Sequence, residues 1–212
     1  MTANEFFGDW YIVVKKELNP IVKRVSELYK TTECTPFYKD IFKCFTLCTR
    51  RQCKVIILGQ DPYPQKGIAT GVAFANNGVA TSPSLKVLMR AAGITDPTLE
   101  SVAKQGVLFL NSALTCEIGK PASHSLIWKP FIRNFLKEMS ELETGMIYIL
   151  LGETAKTFKG YIGKYNYVLT ASHPAYYARE GVAMPETVFV KTNQILKDIY
   201  GREEQIQWGS RD

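Results

Sequence analysis

Four short apolar segments, separated by longer stretches of mixed polarity, are the strongest pattern along the chain. They are residues 54–58, 107–110, 146–151 and 167–171. None of them alternates regularly between apolar and polar positions, and each is enclosed by glycine or polar residues. This pattern favours strands that are buried on both faces, as in a parallel sheet.

The stretches between and around these segments carry apolar residues at helical spacing. Residues 84–92 begin at a serine, a residue suited to helix capping, and stop before Gly93, which suits a left-handed C-terminal cap. Residues 21–29 follow Pro20, which is suited to a first helical turn. Further helices are predicted over 130–140 and Thr187–Tyr200. Alternating strands and helices predict a three-layer α/β/α fold with a short, mostly parallel four-stranded sheet, and residues 1–212 are expected to form a single domain.

Composition is that of an ordinary folded protein with a basic bias. Of 212 residues, 46% are hydrophobic and 22% are charged, and the formal net charge is +6. The charge weakly favours an acidic partner such as nucleic acid. No secretion signal and no apolar run of bilayer length is visible, so we expect an intracellular protein with no membrane partner.

Cysteines are crowded in the first quarter of the chain without the spacing of a metal site. There are five cysteines and two histidines, and no C-x-x-C pair occurs. Reduced, partly buried thiols are the expected state, and neither a metal nor another cofactor is predicted. The five are Cys34, Cys44, Cys48, Cys53 and Cys116.

Polar residues follow each predicted strand where it ends. Gln60 and Asp61 follow the first strand, Asn111 the second, Gly152 the third and His173 the fourth. Because ligand sites of open parallel sheets lie beyond the carboxyl ends of the strands, these residues predict one site at one edge of the sheet.

The segments that carry these residues resemble the motifs of family-1 uracil-DNA glycosylases. GQDPYP at 59–64 resembles the water-activating motif, GVAF at 71–74 the segment with the stacking phenylalanine, and SPSL at 82–85 the loop that presses on the DNA backbone. KQGVLFLNSALT at 104–115 is similar to the asparagine-bearing strand. Ser123-His124, His173-Pro174, KTN at 191–193 and Trp208 continue the match in order. The resemblance covers most of the chain and implies a metal-free enzyme that flips uracil out of DNA and hydrolyses its glycosidic bond, without a lyase step.

The resemblance assigns catalysis to Asp61 and His173. Asp61 would orient a water molecule and favour the cationic sugar, whereas a neutral His173 would donate a hydrogen bond to the departing uracil. Taken alone, an aspartate before proline more often stabilises a turn, and a lone histidine is more often structural.

Four further residues are expected to bind the base. The Asn111 amide suits the O4 and N3–H groups of uracil, Tyr63 would exclude the thymine methyl group, Phe74 would stack on the ring, and Gln60 would contact the base edge. The alternatives are core packing for Tyr63 and Phe74 and strand capping for Asn111.

DNA contacts are assigned by position to Ser82, Ser84, Gly152 and Tyr177. Three departures from the family pattern affect this region. Pro64 replaces the usual histidine, Glu153 stands where a serine follows the glycine, and Tyr177 takes the position of the leucine that enters the base stack.

Other functions stay open beside this one. The chain could be a DNA-binding scaffold with weakened catalysis, although Asp61, Asn111 and His173 are all retained. A nucleotide-binding protein that uses residues 67–71 lacks the usual lysine-serine pair. The expected partner is uracil-containing DNA, single- or double-stranded, for a monomer in the cytoplasm of a bacterium or in a nucleus or viral replication site. A protein inhibitor is a further candidate partner.

Overall fold

A four-stranded sheet forms the middle layer in a computed structural model that describes residues 1–78 and 82–209. Its strands are β2 (Val55–Gly59), β3 (Val107–Asn111), β5 (Ile147–Leu151) and β6 (Tyr167–Ala171), in the order β3-β2-β5-β6. All three pairings are parallel. A separate antiparallel pair joins β1 (Cys34–Thr35) to β4 (Cys116–Glu117). All four predicted strands of the parallel sheet are therefore found, with ends within one residue of those expected.

Helices surround the sheet, and the predicted bounds agree best with the structure for the last of them, Thr187–Tyr200. Within the described ranges, no helix is long and apolar enough to cross a membrane. The α-helices are α1 (Ala3–Phe7), α2 (Tyr11–Thr31), α3 (Pro83–Ala92), α4 (Glu100–Ala103), α5 (Ser125–Leu142), α6 (Glu153–Lys156), α7 (Pro174–Glu180) and α8 (Thr187–Tyr200).

The sheet separates two hydrophobic clusters, because successive side chains of each strand point to opposite faces. Ile56 and Leu58 pack with residues of α2 and α5 on one face. Val55 and Ile57 pack with residues of α3 and α8 on the other face. Two helical layers with a parallel sheet between them confirm the expected α/β/α fold.

Two helices begin earlier than predicted. Helix α2 starts at Tyr11, so Pro20 lies inside it and not in its first turn; α5 starts at Ser125 and likewise contains Pro130. An internal proline removes one backbone hydrogen bond, but burial of an apolar stripe offsets that cost. In α2 the buried stripe is Val13, Val14, Leu18, Ile21 and Val25.

The start of α3 and the burial of β6 also differ from expectation. Ser82, not Ser84, caps α3: its hydroxyl accepts the backbone N–H of Leu85. The prediction that Gly93 ends this helix in a left-handed conformation is confirmed. Strand β6 was expected to be buried on both faces, but it forms the edge of the sheet and is half-exposed, with 43% of Tyr167 accessible.

All five cysteines are free thiols, and four of them are buried. In the parts of the chain that the structure describes, no group of three or more His, Cys, Asp or Glu side chains could hold a metal ion. The clustering of cysteines in the sequence thus reflects their use as small core residues, since free cysteine behaves as a small apolar side chain.

Candidate active site

A cavity of about 260 Å³ opens at the carboxyl edge of the sheet. It brings together every residue that the sequence assigned to catalysis or base binding, together with Ser84. Its lining includes Gln60, Asp61, Tyr63, Pro64, Phe74, Ser84, Asn111 and His173. The strand assignment alone predicted that the polar residues would converge here, because β2, β3 and β6 all end at this edge.

Gly59 makes the floor of the cavity possible. It ends β2 directly opposite Asn111 of β3. A Cβ atom at Gly59 would lie 2.7 Å from Asn111 Oδ1 and 2.8 Å from Phe74 Cζ. Only glycine therefore allows the Asn111 amide and the Phe74 ring to approach this closely. The motif at 59–64 contains Gly59 but does not predict this role, for which the signal is a glycine at the end of a buried strand.

Asp61 is held at the mouth of the cavity by a hydrogen bond from a distant segment of the chain. Its Oδ2 accepts the backbone N–H of Ala122, and the neighbouring Gln60 side chain favours the charged carboxylate. Burial raises the pKa of Asp61 above its ordinary value, and the Ala122 N–H and the Gln60 side chain both oppose that rise. Ala122 has a positive φ of 63°, so the chain turns sharply to present this donor. The result is a half-buried carboxylate with a fixed orientation.

His173 is oriented as a hydrogen-bond donor. It precedes α7 as the N-cap residue, and its Nδ1 accepts the backbone N–H of Ala175 at 3.1 Å. In a neutral ring the proton must then sit on Nε2. Burial lowers the pKa of His173, which favours that neutral form. The ring therefore offers a neutral N–H donor at the cavity.

Phe74 and Gly152 confine the His173 ring. The ring centroids of Phe74 and His173 are 5.6 Å apart, with an angle of 38° between the planes. A Cβ atom at Gly152 would lie 2.9 Å from His173 Cβ. The sequence predicted Gly152 as a DNA contact, which stays a prediction; the structure shows its close approach to His173.

The Asn111 amide faces the cavity with its hydrogen-bonding capacity unused. The residue is 8% exposed, and no hydrogen bond joins its side chain to any group within residues 1–78 and 82–209. A buried polar group is normally hydrogen bonded, so an open amide in a cavity favours ligand binding over strand capping.

The residues assigned to DNA contact are arranged in two different ways. Ser84 lines the cavity, whereas the Ser82 hydroxyl is bonded to Tyr63 and Leu85. Tyr177 packs against the core, while its neighbour Tyr176 is 44% exposed.

Two of the departures from the family pattern also find a structural setting. Glu153 forms an ion pair with Lys156 at 2.6 Å, which offsets its charge near the strand end. Pro64 lines the cavity, and its carbonyl accepts the backbone N–H of Gly119.

Comparisons with known proteins agree with this fold. Residues 45–197 match the family model described as the uracil DNA glycosylase superfamily. A uracil-DNA glycosylase of Fusobacterium nucleatum is 36% identical over 96% of this chain and 91% of its own length. One of Gallid herpesvirus 2 is 38% identical over 80% of this chain and 58% of its own length.

Solved structures show the same fold. Mimivirus uracil-DNA glycosylase superposes with a TM-score of 0.82 at 22% identity, covering 99% of this chain and 88% of that one. A variant of mimivirus UNG in complex with UGI superposes with the same score. The chain belongs to the uracil DNA glycosylase superfamily, which confirms the family indicated by its motifs.

Proposed function

We propose that this chain is a monofunctional uracil-DNA glycosylase that starts base excision repair by leaving an abasic site. The observation that carries the proposal is the meeting of three groups in one cavity: the fixed Asp61 carboxylate, the Nε2–H donor of His173 and the open amide of Asn111. Each group matches one part of a deoxyuridine whose base has left the helix.

Base recognition follows from the geometry of the amide and the rings. Asn111 can donate to O4 of uracil and accept from N3–H, whereas cytosine offers the reverse pattern at these positions. Phe74 supplies a flat apolar surface for the ring. Tyr63 closes the side where thymine carries its methyl group. Because a duplex conceals the glycosidic bond, the nucleotide must rotate out of the stack to reach this cavity.

Bond cleavage separates charge, and the two catalytic residues stabilise opposite ends. The bond between C1′ and N1 breaks with its electron pair on uracil, which leaves a cationic sugar and a uracil anion. Asp61 stabilises the cation and orients a water molecule whose oxygen then bonds to C1′, and the water proton passes to the carboxylate or solvent. The His173 Nε2–H donates to O2 of the anion, which a preorganised neutral donor can stabilise in a site that excludes water.

Contacts with the DNA strand are assigned to the rim of the cavity. Ser84, once its proton turns away from Ser82, and the first backbone N–H groups of α6 directly after Gly152 offer neutral donors to phosphates, which would position either single- or double-stranded DNA without reading its sequence. Tyr177 retains the position of the residue that fills the vacated stack, and the exposed Tyr176 is its alternative.

The wider setting of the protein follows from its substrate. We infer that it acts as a monomeric single domain inside the cell or at a viral replication site, where genomic DNA is found. A related protein was solved with UGI, so a protein inhibitor is a candidate partner of this chain as well.

A direct test uses oligonucleotides that carry one uracil, thymine or cytosine, incubated in EDTA and then treated with alkali to reveal abasic sites. We expect cleavage only at uracil, and none before alkali. Asp61→Asn and His173→Leu should each lower kcat by roughly 100-fold or more, as expected for loss of a group that stabilises transition-state charge. A folded protein that binds uracil DNA without cleaving it would instead be a scaffold.

A further inference from the structure

The hydroxyl of Ser82 is part of a hydrogen-bond relay that ends at the base-stacking residue. Ser82 Oγ donates to Tyr63 Oη at 2.7 Å, and the Tyr63 hydroxyl donates to the carbonyl of Phe74 at 2.6 Å. Ser82 Oγ also accepts a hydrogen bond from the backbone N–H of Leu85 at 3.1 Å, and it lies 3.1 Å from Ser84 Oγ. The relay thus joins the start of α3 to two walls of the cavity.

A serine hydroxyl has one proton to donate and two lone pairs to accept with. In Ser82 the proton is given to Tyr63, so Ser84 must be the donor in the contact between the two serines. Both lone pairs of Ser82 are then occupied, and its hydroxyl has nothing left to give to a phosphate oxygen. Ser84, which lines the cavity, can turn its proton from Ser82 to a phosphate oxygen without breaking the bonds that join Ser82, Tyr63 and Phe74.

We propose that Ser82 is a positioning residue for base selectivity, which holds Tyr63 against the Phe74 carbonyl so that a pyrimidine with a substituent at C5 is excluded. The inference rests on the proposed function and assigns Ser82 to selectivity rather than to DNA contact. Tyr63 excludes a methyl group only if its ring cannot rotate away, and the relay restrains that rotation at the far end of the ring.

Two further observations support the relay as a built feature. Phe74 holds a positive φ of 67°, which a bulky residue seldom adopts, and its carbonyl is the acceptor of the Tyr63 hydroxyl. Tyr63 is half-buried, so without Ser82 its oxygen would lose a donor in a place that water reaches poorly. Burial also raises the pKa of Tyr63, which keeps the phenol protonated and able to donate.

The test compares Ser82→Ala, Ser82→Gly, Ser82→Thr, Tyr63→Phe and the double variant Ser82→Ala/Tyr63→Phe. Two ratios are measured: kcat/KM for uracil over that for thymine, and kcat/KM for uracil over that for 5-bromouracil. The bromine of 5-bromouracil is similar in size to the methyl group of thymine, but 5-bromouracil is the better leaving group. We expect Ser82→Ala and Ser82→Gly to lower the ratio by roughly tenfold, within the range seen for recognition of one methyl group. Ser82→Thr, which keeps the hydroxyl, should retain it.

The glycine and double variants separate the relay from the helix cap. Glycine is tolerated at a helix N-cap at small cost, so a pure capping role would leave Ser82→Gly close to the wild type. Lost capping would also lower Tm without changing the ratio between bases. If Ser82 acts through the Tyr63 hydroxyl, the double variant Ser82→Ala/Tyr63→Phe should have the same ratio as Tyr63→Phe alone.

Several outcomes would overturn the proposal. An unchanged ratio in Ser82→Ala would do so, as would additive effects in the double variant. A raised KM for DNA at an unchanged ratio would make Ser82 a DNA contact. Calorimetric titration of the same variants with free uracil, thymine and 5-bromouracil measures selectivity without cleavage. If the wild type cleaves no uracil DNA, the proposed function fails, and the ratio of Kd values for these bases still decides whether Ser82 controls selectivity.

Discussion

Gly59→Ala tests whether the floor of the cavity depends on the absence of a side chain. The added Cβ would lie 2.7 Å from Asn111 Oδ1 and 2.8 Å from Phe74 Cζ, whereas ordinary contacts begin at 3.4 Å. Each group must therefore move by roughly 0.6–0.7 Å. Both side chains line the cavity, so this movement displaces them from the positions in which they are proposed to bind the base. Misplacing catalytic groups by about 1 Å can cost about 100-fold in rate, so we expect kcat/KM to fall by between ~30- and ~100-fold, or about 2–3 kcal/mol in transition-state stabilisation.

The assay is steady-state cleavage of a uracil oligonucleotide, with Tm measured for each variant. Gly160→Ala is the matched control, since nothing lies within 4 Å of a Cβ atom there and the residue has no positive φ. We expect the control to keep its activity. If Gly59→Ala retained activity within about threefold of the control, the cavity would be able to adapt and the argument from close contact would be wrong.

Two more predictions concern the pH dependence of unfolding and the neighbouring aromatic residues Tyr176 and Tyr177. Because burial lowers the pKa of His173, the unfolded chain binds more protons than the folded chain as pH falls through the ordinary histidine range. The free energy of unfolding should thus decline more steeply between about pH 7.5 and about pH 5.5 in the wild type than in His173→Leu, measured by urea denaturation; equal slopes would contradict the shift. Tyr177→Ala should lower the free energy of unfolding by about 2 kcal/mol, because Tyr177 packs on the core, whereas Tyr176→Ala should change it by less than about 0.5 kcal/mol. Cleavage assays on both variants decide which ring fills the place that the flipped base leaves in the stack. Removal of that ring should lower kcat/KM more for double-stranded than for single-stranded uracil DNA.

The position of the site was predictable because it depends on strand ends. Buried parallel strands are continuous apolar runs, so their limits are readable, and the residues that follow them must meet at one edge. The strand ends alone, without any motif, predict that Asp61, Asn111 and His173 lie together. The short segments bounded by polar residues thus carried most of the information about the site.

Contacts between distant segments were not predictable in the same way. The hydroxyl of Ser82 reaches Tyr63 across 19 positions, and the backbone of Ala122 reaches Asp61 across 61. Neither residue type is unusual in its own segment, so neither signals its partner. The edge position of β6 was missed for the same reason: strand order depends on connections that local hydrophobicity does not encode.

Burial shifts the pKa values of both proposed catalytic residues, but the shift suits only one of them. Burial lowers the pKa of His173, which suits a neutral donor, but it also raises the pKa of Asp61, which must be ionised to stabilise a cation. A cavity dry enough to keep the histidine neutral would therefore tend to protonate the aspartate. The hydrogen bond from Ala122 and the neighbouring Gln60 side chain act against that tendency, because both stabilise the charged form. In the proposed mechanism the turn at Ala122 is thus a positioning element, because it allows an ionised aspartate and a neutral histidine to share one low-dielectric site.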